Sequence, residues 1–131
     1  MIAAHHLDES AEWVAERIDS WVETYKKAML TPIVLALVAR SQPTVISDLT
    51  EDITALTGWQ ITERGLYRTV RRLQDSGLLS STSGDAPRTG AKRKVISLTA
   101  LGEQLLDGVQ QNLVSLPRTE PRSAEPEGSR S

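Results

Sequence analysis

Thr62-Glu63-Arg64-Gly65-Leu66-Tyr67-Arg68-Thr69-Val70-Arg71-Arg72-Leu73-Gln74-Asp75-Ser76-Gly77-Leu78-Leu79 is the stretch on which the reading of this chain turns. Thr62 is a helix-capping type and Gly77 a helix-stopping one, so the segment between them reads as a helix to about Ser76. At about 100° per residue, Leu66, Val70 and Leu73 share one stripe, while Arg64, Arg68 and Arg71 lie on the opposite side. Arg72 and Tyr67 flank the basic face, and Asp75 closes its far end. A helix held by leucine and valine on one side and presenting guanidinium groups on the other suits the major groove of duplex DNA, where arginine bonds guanine edges or phosphates.

The residues just upstream strengthen that reading. Thr44 can cap a short helix whose apolar stripe is Ile46, Leu49, Ile53 and Leu56, and Gly58-Trp59-Gln60 forms a sharp turn after it. The basic helix is then the second member of a helix–turn–helix. Further upstream, Thr31-Pro32 reads as a cap with proline at the first helical position, which starts a core helix over about 32–40 with Ile33, Val34, Leu35, Leu37 and Val38. Ser41-Gln42-Pro43 ends it. Before it, Leu7, Ala11, Val14, Ile18, Trp21 and Tyr25 alternate spacings of four and three, the seam of a helix that packs on another helix. Asp8, Glu9 and Glu12 suit its N-terminal end.

Downstream, Leu78–Thr82 and Lys94–Leu98 read as two short strands. The turn-rich loop between them carries Arg88, Lys92 and Arg93 beside Gly84, Pro87 and Gly90, and Lys94 opens the second strand. A mobile basic loop of this kind is suited to phosphates or the minor groove. Thr99 caps a last helix with Leu101, Leu105, Val109, Leu113 and Leu116 along one side. From Pro117 on, Pro, Glu, Arg, Ser and Gly dominate without periodicity, the composition of a disordered tail. The expected organisation is an N-terminal dimerisation helix at 1–29, a winged-helix DNA-binding domain at 30–99, a C-terminal dimerisation helix at 100–116 and a tail at 117–131. The fold class is mainly α with one small β-hairpin: a winged helix–turn–helix with an extra helix at each end.

Charge distribution agrees. The 131 residues carry a net charge of -2, which by itself argues against a polyanionic partner. Residues 62–94, however, hold eight bases against three acids, while the rest of the chain holds seven bases against fourteen acids. That asymmetry suggests a surface facing a polyanion. With no cysteine and no phenylalanine, disulfides and thiolate metal sites are excluded and the core must rest on Leu, Ile and Val. His5 and His6 are adjacent, project to different sides of a helix and do not suit a metal. No metal or other cofactor is expected. The longest apolar run, Ile33–Ala39, is far short of the roughly 18–20 residues a membrane span needs. With no secretory leader pattern at the N-terminus, a cytoplasmic protein is expected. No nucleophile–base pair, phosphate loop or carboxylate pair stands out, so an enzyme is not expected. Trp13, Trp21 and Trp59 suit packing at an interface better than a ligand cavity.

The recognition stretch, with its capping threonine, tyrosine, Arg71-Arg72-Leu73 and Gly77-Leu78, resembles that of PadR-family transcriptional regulators. Gly90-Ala91-Lys92-Arg93-Lys94-Val95-Ile96-Ser97-Leu98-Thr99 with Gly102 resembles the family's wing and the start of its next helix, and Leu30–Val38 its first core helix. The likeness covers about residues 30–107. It departs at Thr44-Val45-Ile46-Ser47, where the family usually has His-Gly-Tyr-Glu, and at Gly65, where the family has threonine. The long N-terminal helix resembles the cyanobacterial period-extender branch, which represses a clock gene. The resemblance implies a homodimeric, sequence-specific repressor of transcription. It would bind duplex DNA through Arg64, Tyr67, Arg68, Arg71 and Arg72 of the helix and Arg88, Lys92, Arg93 and Lys94 of the wing. The alternative left open by the residues is a winged-helix module whose basic face binds an acidic protein.

Overall fold

The computed structural model describes the backbone of residues 2–119, and side chains from Asp8 onward. The order is α1 (Ile2–Ser41), α2 (Ile46–Thr57), α3 (Glu63–Asp75), β1 (Leu79–Asp85), β2 (Lys92–Leu98) and α4 (Ala100–Gln111). The two strands pair antiparallel from Leu79↔Leu98 to Asp85↔Lys92. Around the C-terminal end of α1, the helices α2, α3 and α4 and the base of the hairpin close one apolar core. Val34, Leu35, Leu37 and Val38 meet Leu49, Ile53, Leu66, Val70, Leu73, Leu79, Ile96 and Leu106 there. This is the mainly α, winged helix–turn–helix architecture read from the sequence.

Several local expectations are corrected. Thr31-Pro32 does not start a new helix, because α1 runs unbroken from Ile2 to Ser41 with Pro32 inside it. Proline leaves the Ala28 carbonyl without its usual N–H partner, at about 3 kcal/mol or more. Burial of the four side chains that follow offsets this, at roughly 1.5–3 kcal/mol each. Thr44 does not cap α2. The residue before that helix is Val45, with no side-chain cap, and Thr44 is buried. Its N–H donates to the Ile96 carbonyl at 3.0 Å and its own carbonyl accepts from the Ile96 N–H at 2.7 Å, so it extends the sheet instead. Leu56, at the last turn of α2, is exposed rather than part of the core stripe.

At the other end, α4 stops at Gln111, so Leu113 and Leu116 lie beyond it. The side of α4 that faces the core is Gly102 and Leu106, while Leu101 and Leu105 face outward. Thr99 makes this docking possible: its hydroxyl donates to the Gly77 and Leu78 carbonyls and accepts from the Gly102 N–H. A side chain at position 102 would collide with the Leu78 carbonyl and the Leu98 methyl, so glycine is what lets α4 lie so close to the hairpin. Of the expected tail, residues 120–131 lie outside the described residues, as do the side chains of Leu7, His5 and His6.

Candidate nucleic-acid interface

The α2–α3 corner is built as its residue types require. Gly58 adopts a left-handed conformation (φ 76°) and its N–H donates to the Thr54 carbonyl. Thr57 Oγ1 accepts from the Trp59 N–H, and Thr54 Oγ1 donates to the Trp59 carbonyl. Thr62 then caps α3, its hydroxyl accepting from the Gly65 N–H at 2.9 Å. With Leu66, Val70 and Leu73 buried, the orientation of α3 is fixed. Arg64, Tyr67, Arg68, Arg71 and Arg72 are all exposed, on the side away from the core, as the stripe analysis expects.

The solvent side of α3 divides into two ridges. Tyr67, Arg71 and Gln74 turn toward the hairpin and, with Ile46, Ser81, Lys94 and Ile96, line a cleft of about 230 Å³. Arg71 Nη1 lies 3.5 Å from the Tyr67 hydroxyl. Arg68, Arg72 and Asp75 form the outer ridge. Gln74 lines the cleft as well, a residue to which the sequence reading gives no role. Tyr67, Arg71 and Gln74 fall at i, i+4 and i+7, so the spacing places Gln74 on this ridge, although a neutral side chain adds nothing to the charge pattern.

The wing is more ordered than the sequence suggests. Both strands run three or two residues further toward the tip than expected, and the turn shrinks to residues 86–91. Ladder bonds hold Ser83, Gly84 and Asp85 in β1 despite their turn-forming character. Lys92, Arg93 and Lys94 are therefore strand residues, with Lys92 and Lys94 on one face and Arg93 on the other. Lys94 faces the α3 cleft. Lys92 Nζ lies 3.6 Å from Asp85 across the ladder. Arg88 does not extend outward alone: its Nη1 lies 3.3 Å from Asp48 Oδ1 and 3.4 Å from Glu51 Oε1 on α2. Among the described residues, Arg64, Arg68, Arg71, Arg72, Arg93 and Lys94 make no ion pair.

A second exposed surface lies on the N-terminal half of α1. Trp13, Val14, Ile18, Trp21 and Tyr25 are exposed and fall within an arc of about 140°, while Asp8, Glu9, Glu12, Glu16, Asp19 and Glu23 occupy the other side. Trp21 stacks on Tyr25 at 4.9 Å, and Tyr25 meets Trp59 edge-on at 6.1 Å. Lys26 lies 5.7 Å over the Trp59 ring, so the aromatic series joins α1 to the turn between α2 and α3. No group of three or more His, Asp or Glu side chains that could hold a metal is found among the described residues. No helix among them is long and apolar enough to cross a membrane.

Comparison with known proteins accords with this geometry. The profile of the transcriptional regulator PadR-like family matches residues 34–108. Among solved structures, a PadR-like transcriptional regulator from Bacillus cereus superposes with a TM-score of 0.62 at 20% identity, covering 67% of this chain and 84% of that one. A PadR family transcriptional regulator from Eggerthella lenta gives 0.60 at 26% identity, covering 75% and 83%. Bacillus subtilis PadR, solved in complex with operator DNA, gives 0.55 at 21% identity, covering 72% of this chain and 52% of that protein. No curated protein is matched. The family match does not bear on the period-extender branch. The chain belongs to the PadR-like family of transcriptional regulators.

Proposed function

We propose that this protein binds duplex DNA sequence-specifically as a homodimer and represses transcription by occupying promoter DNA. The observation that carries the reading is the row of exposed bases without acidic partners on the solvent side of α3, continued onto β2 by Lys94, with Arg93 exposed on the other face of the ribbon. In this arrangement α3 enters the major groove and Arg64, Arg68 and Arg71 reach base edges. Tyr67 and Arg72 contact the backbone from its flanks, and the strand bases of the wing lie along phosphates. The operator complex of the Bacillus subtilis relative supports the partner class.

The dimer rests on the uncovered apolar side chains of α1 and on Leu101 and Leu105 of α4. Together they form two helix faces that one protomer does not cover. Such patches are characteristic of interaction sites, and helices from opposite ends of the chain can embrace those of a second copy.

The test is a titration of Arg68→Ala and Arg93→Ala against a fragment selected from genomic DNA and against random duplex, across a salt series. Arg68→Ala should erode the preference for the selected fragment, by about 1–3 kcal/mol for a lost bidentate arginine–guanine pair. Arg93→Ala should weaken both DNAs alike and reduce the salt slope by about one unit. The reverse pattern would make the wing the reader. If neither substitution alters affinity, the basic face meets an acidic protein and not DNA.

A further inference from the structure

Arg88 looks in the sequence like one more phosphate-binding residue of a mobile loop. We propose instead that it is a positioning residue, clamping the tip of the wing onto α2 and so setting where Arg93 and Lys94 meet the DNA backbone. The inference rests on the DNA-binding reading above.

The turn that carries Arg88 is itself bonded. The Ala86 N–H donates to the Ala91 carbonyl at 2.7 Å, and the Gly90 N–H donates to the Ala86 carbonyl at 2.8 Å. Gly90, at φ 72°, takes a left-handed conformation there that other residues rarely adopt. Ala86 is buried, and Pro87 and Arg88 lie against Ser41, Pro43 and Thr44 at the α1–α2 corner. From this seat the guanidinium reaches Asp48 and Glu51, which stand three residues apart on one face of α2. Asp48 is sheltered, with its side chain 19% exposed, and Asp52 lines the same recess.

Two consequences follow from this placement. A two-stranded ribbon is marginally stable on its own, and the apolar core holds this one near its base, through Leu79, Ile96 and the Thr44 bridge. A contact at the tip fixes its tilt. In addition, a guanidinium with two carboxylates within 3.4 Å has its charge largely offset and is a poor phosphate ligand. The tip of the wing is thereby committed to holding, which leaves Lys94 on one face of the ribbon and Arg93 on the other to bind.

The experiment uses the full chain and the variant Arg88→Ala. In the free protein, the amides of Ala86 and Gly90 should exchange with solvent about three- to tenfold faster. Affinity for the selected DNA should fall by a similar factor, on the scale of two exposed ion pairs, with an unchanged salt slope. Arg88→Lys, which keeps a cation between the same two carboxylates, should retain most of the protection and of the affinity. A salt slope reduced by about one unit would identify Arg88 as a phosphate ligand and overturn the proposal. Unchanged exchange overturns the clamp itself, and faster exchange with unaltered affinity overturns its role in positioning. If exchange responds as expected but the unsubstituted protein binds no DNA, the clamp stands and the DNA-binding reading fails.

Discussion

Between Val34 and Val38, α1 buries four side chains almost completely, whereas between Trp13 and Tyr25 the same helix leaves five large apolar side chains exposed. Both stretches are helical, the first an unbroken apolar run and the second a seam of four and three spacings with acids between. The difference comes from what surrounds them. The C-terminal stretch is enclosed by α2, α3, α4 and the hairpin, while the N-terminal stretch projects past the core with acids on its other side. Apolar content therefore serves two purposes in one helix: closing the protomer at one end and, on the reading above, joining protomers at the other.

The comparison is broken most severely at the buried end. Leu35, fully enclosed, should lose about 2–5 kcal/mol of stability on substitution by alanine, the range for a deleted core leucine. Denaturant unfolding followed by circular dichroism measures it. A loss below about 1 kcal/mol would mean that the two ends of α1 are not energetically distinct.

A smaller change in folding, but a large one in assembly, is expected from Ile18→Glu combined with Leu105→Glu. Both positions are substantially exposed in the protomer. The fold should thus survive, with protomer stability altered by no more than about 0.5 kcal/mol per site. Association should be lost, because each face would bring a desolvated carboxylate to the interface. Sedimentation at micromolar concentration should then report a 14.4 kDa species. If the double variant unfolds instead, the two halves of α1 form one cooperative unit and the protomer is not independently stable. Persistence of a dimer would place the interface elsewhere.

The smallest effect is expected where α1 meets the α2–α3 turn. Tyr25→Ala removes the stack on Trp21 and the edge contact with Trp59. Each such aromatic pair is worth roughly 0.5–1.5 kcal/mol. Trp59 emission should change, while the helix content and the buried core remain intact. Emission identical to that of the parent protein would show that α1 and the α2–α3 turn are not in contact in solution.

How far these features were legible in the sequence depended on how local their causes are. The α3 helix was readable because its cap, its apolar stripe and its basic face all lie within one run of residues and agree. Pro32 was misread because proline at a helix start and proline inside a continuous helix present the same local residues, and only the packing of Val34–Val38 decides between them. The wing was misread for a related reason. Ser83, Gly84 and Asp85 favour turns by themselves, and what makes them a strand is pairing with Lys92–Lys94 across the hairpin. Thr44 similarly exchanged a capping role for a bridge to Ile96, a residue far along the chain. The Arg88 contacts join residues 37 and 40 positions apart, so composition could show that Arg88 was basic but not what it faces.

Because α1 is one uninterrupted helix of 40 residues, about 60 Å long at 1.5 Å per residue, its length acts as an angular setting. One end is indexed by the core and the other by the exposed aromatic face, with continuous helix, Pro32 included, between them. A single residue inserted between Lys27 and Leu30 would advance that face by only about 1.5 Å but rotate it by about 100°. An insertion of four would bring it back to within about 40°, roughly 6 Å further out. In a dimer joined through this face, the separation and twist of the two α3 helices would change in such discrete steps. Lineages that retune operator spacing through this helix should therefore differ by three, four or seven residues, with one- and two-residue changes excluded by phase.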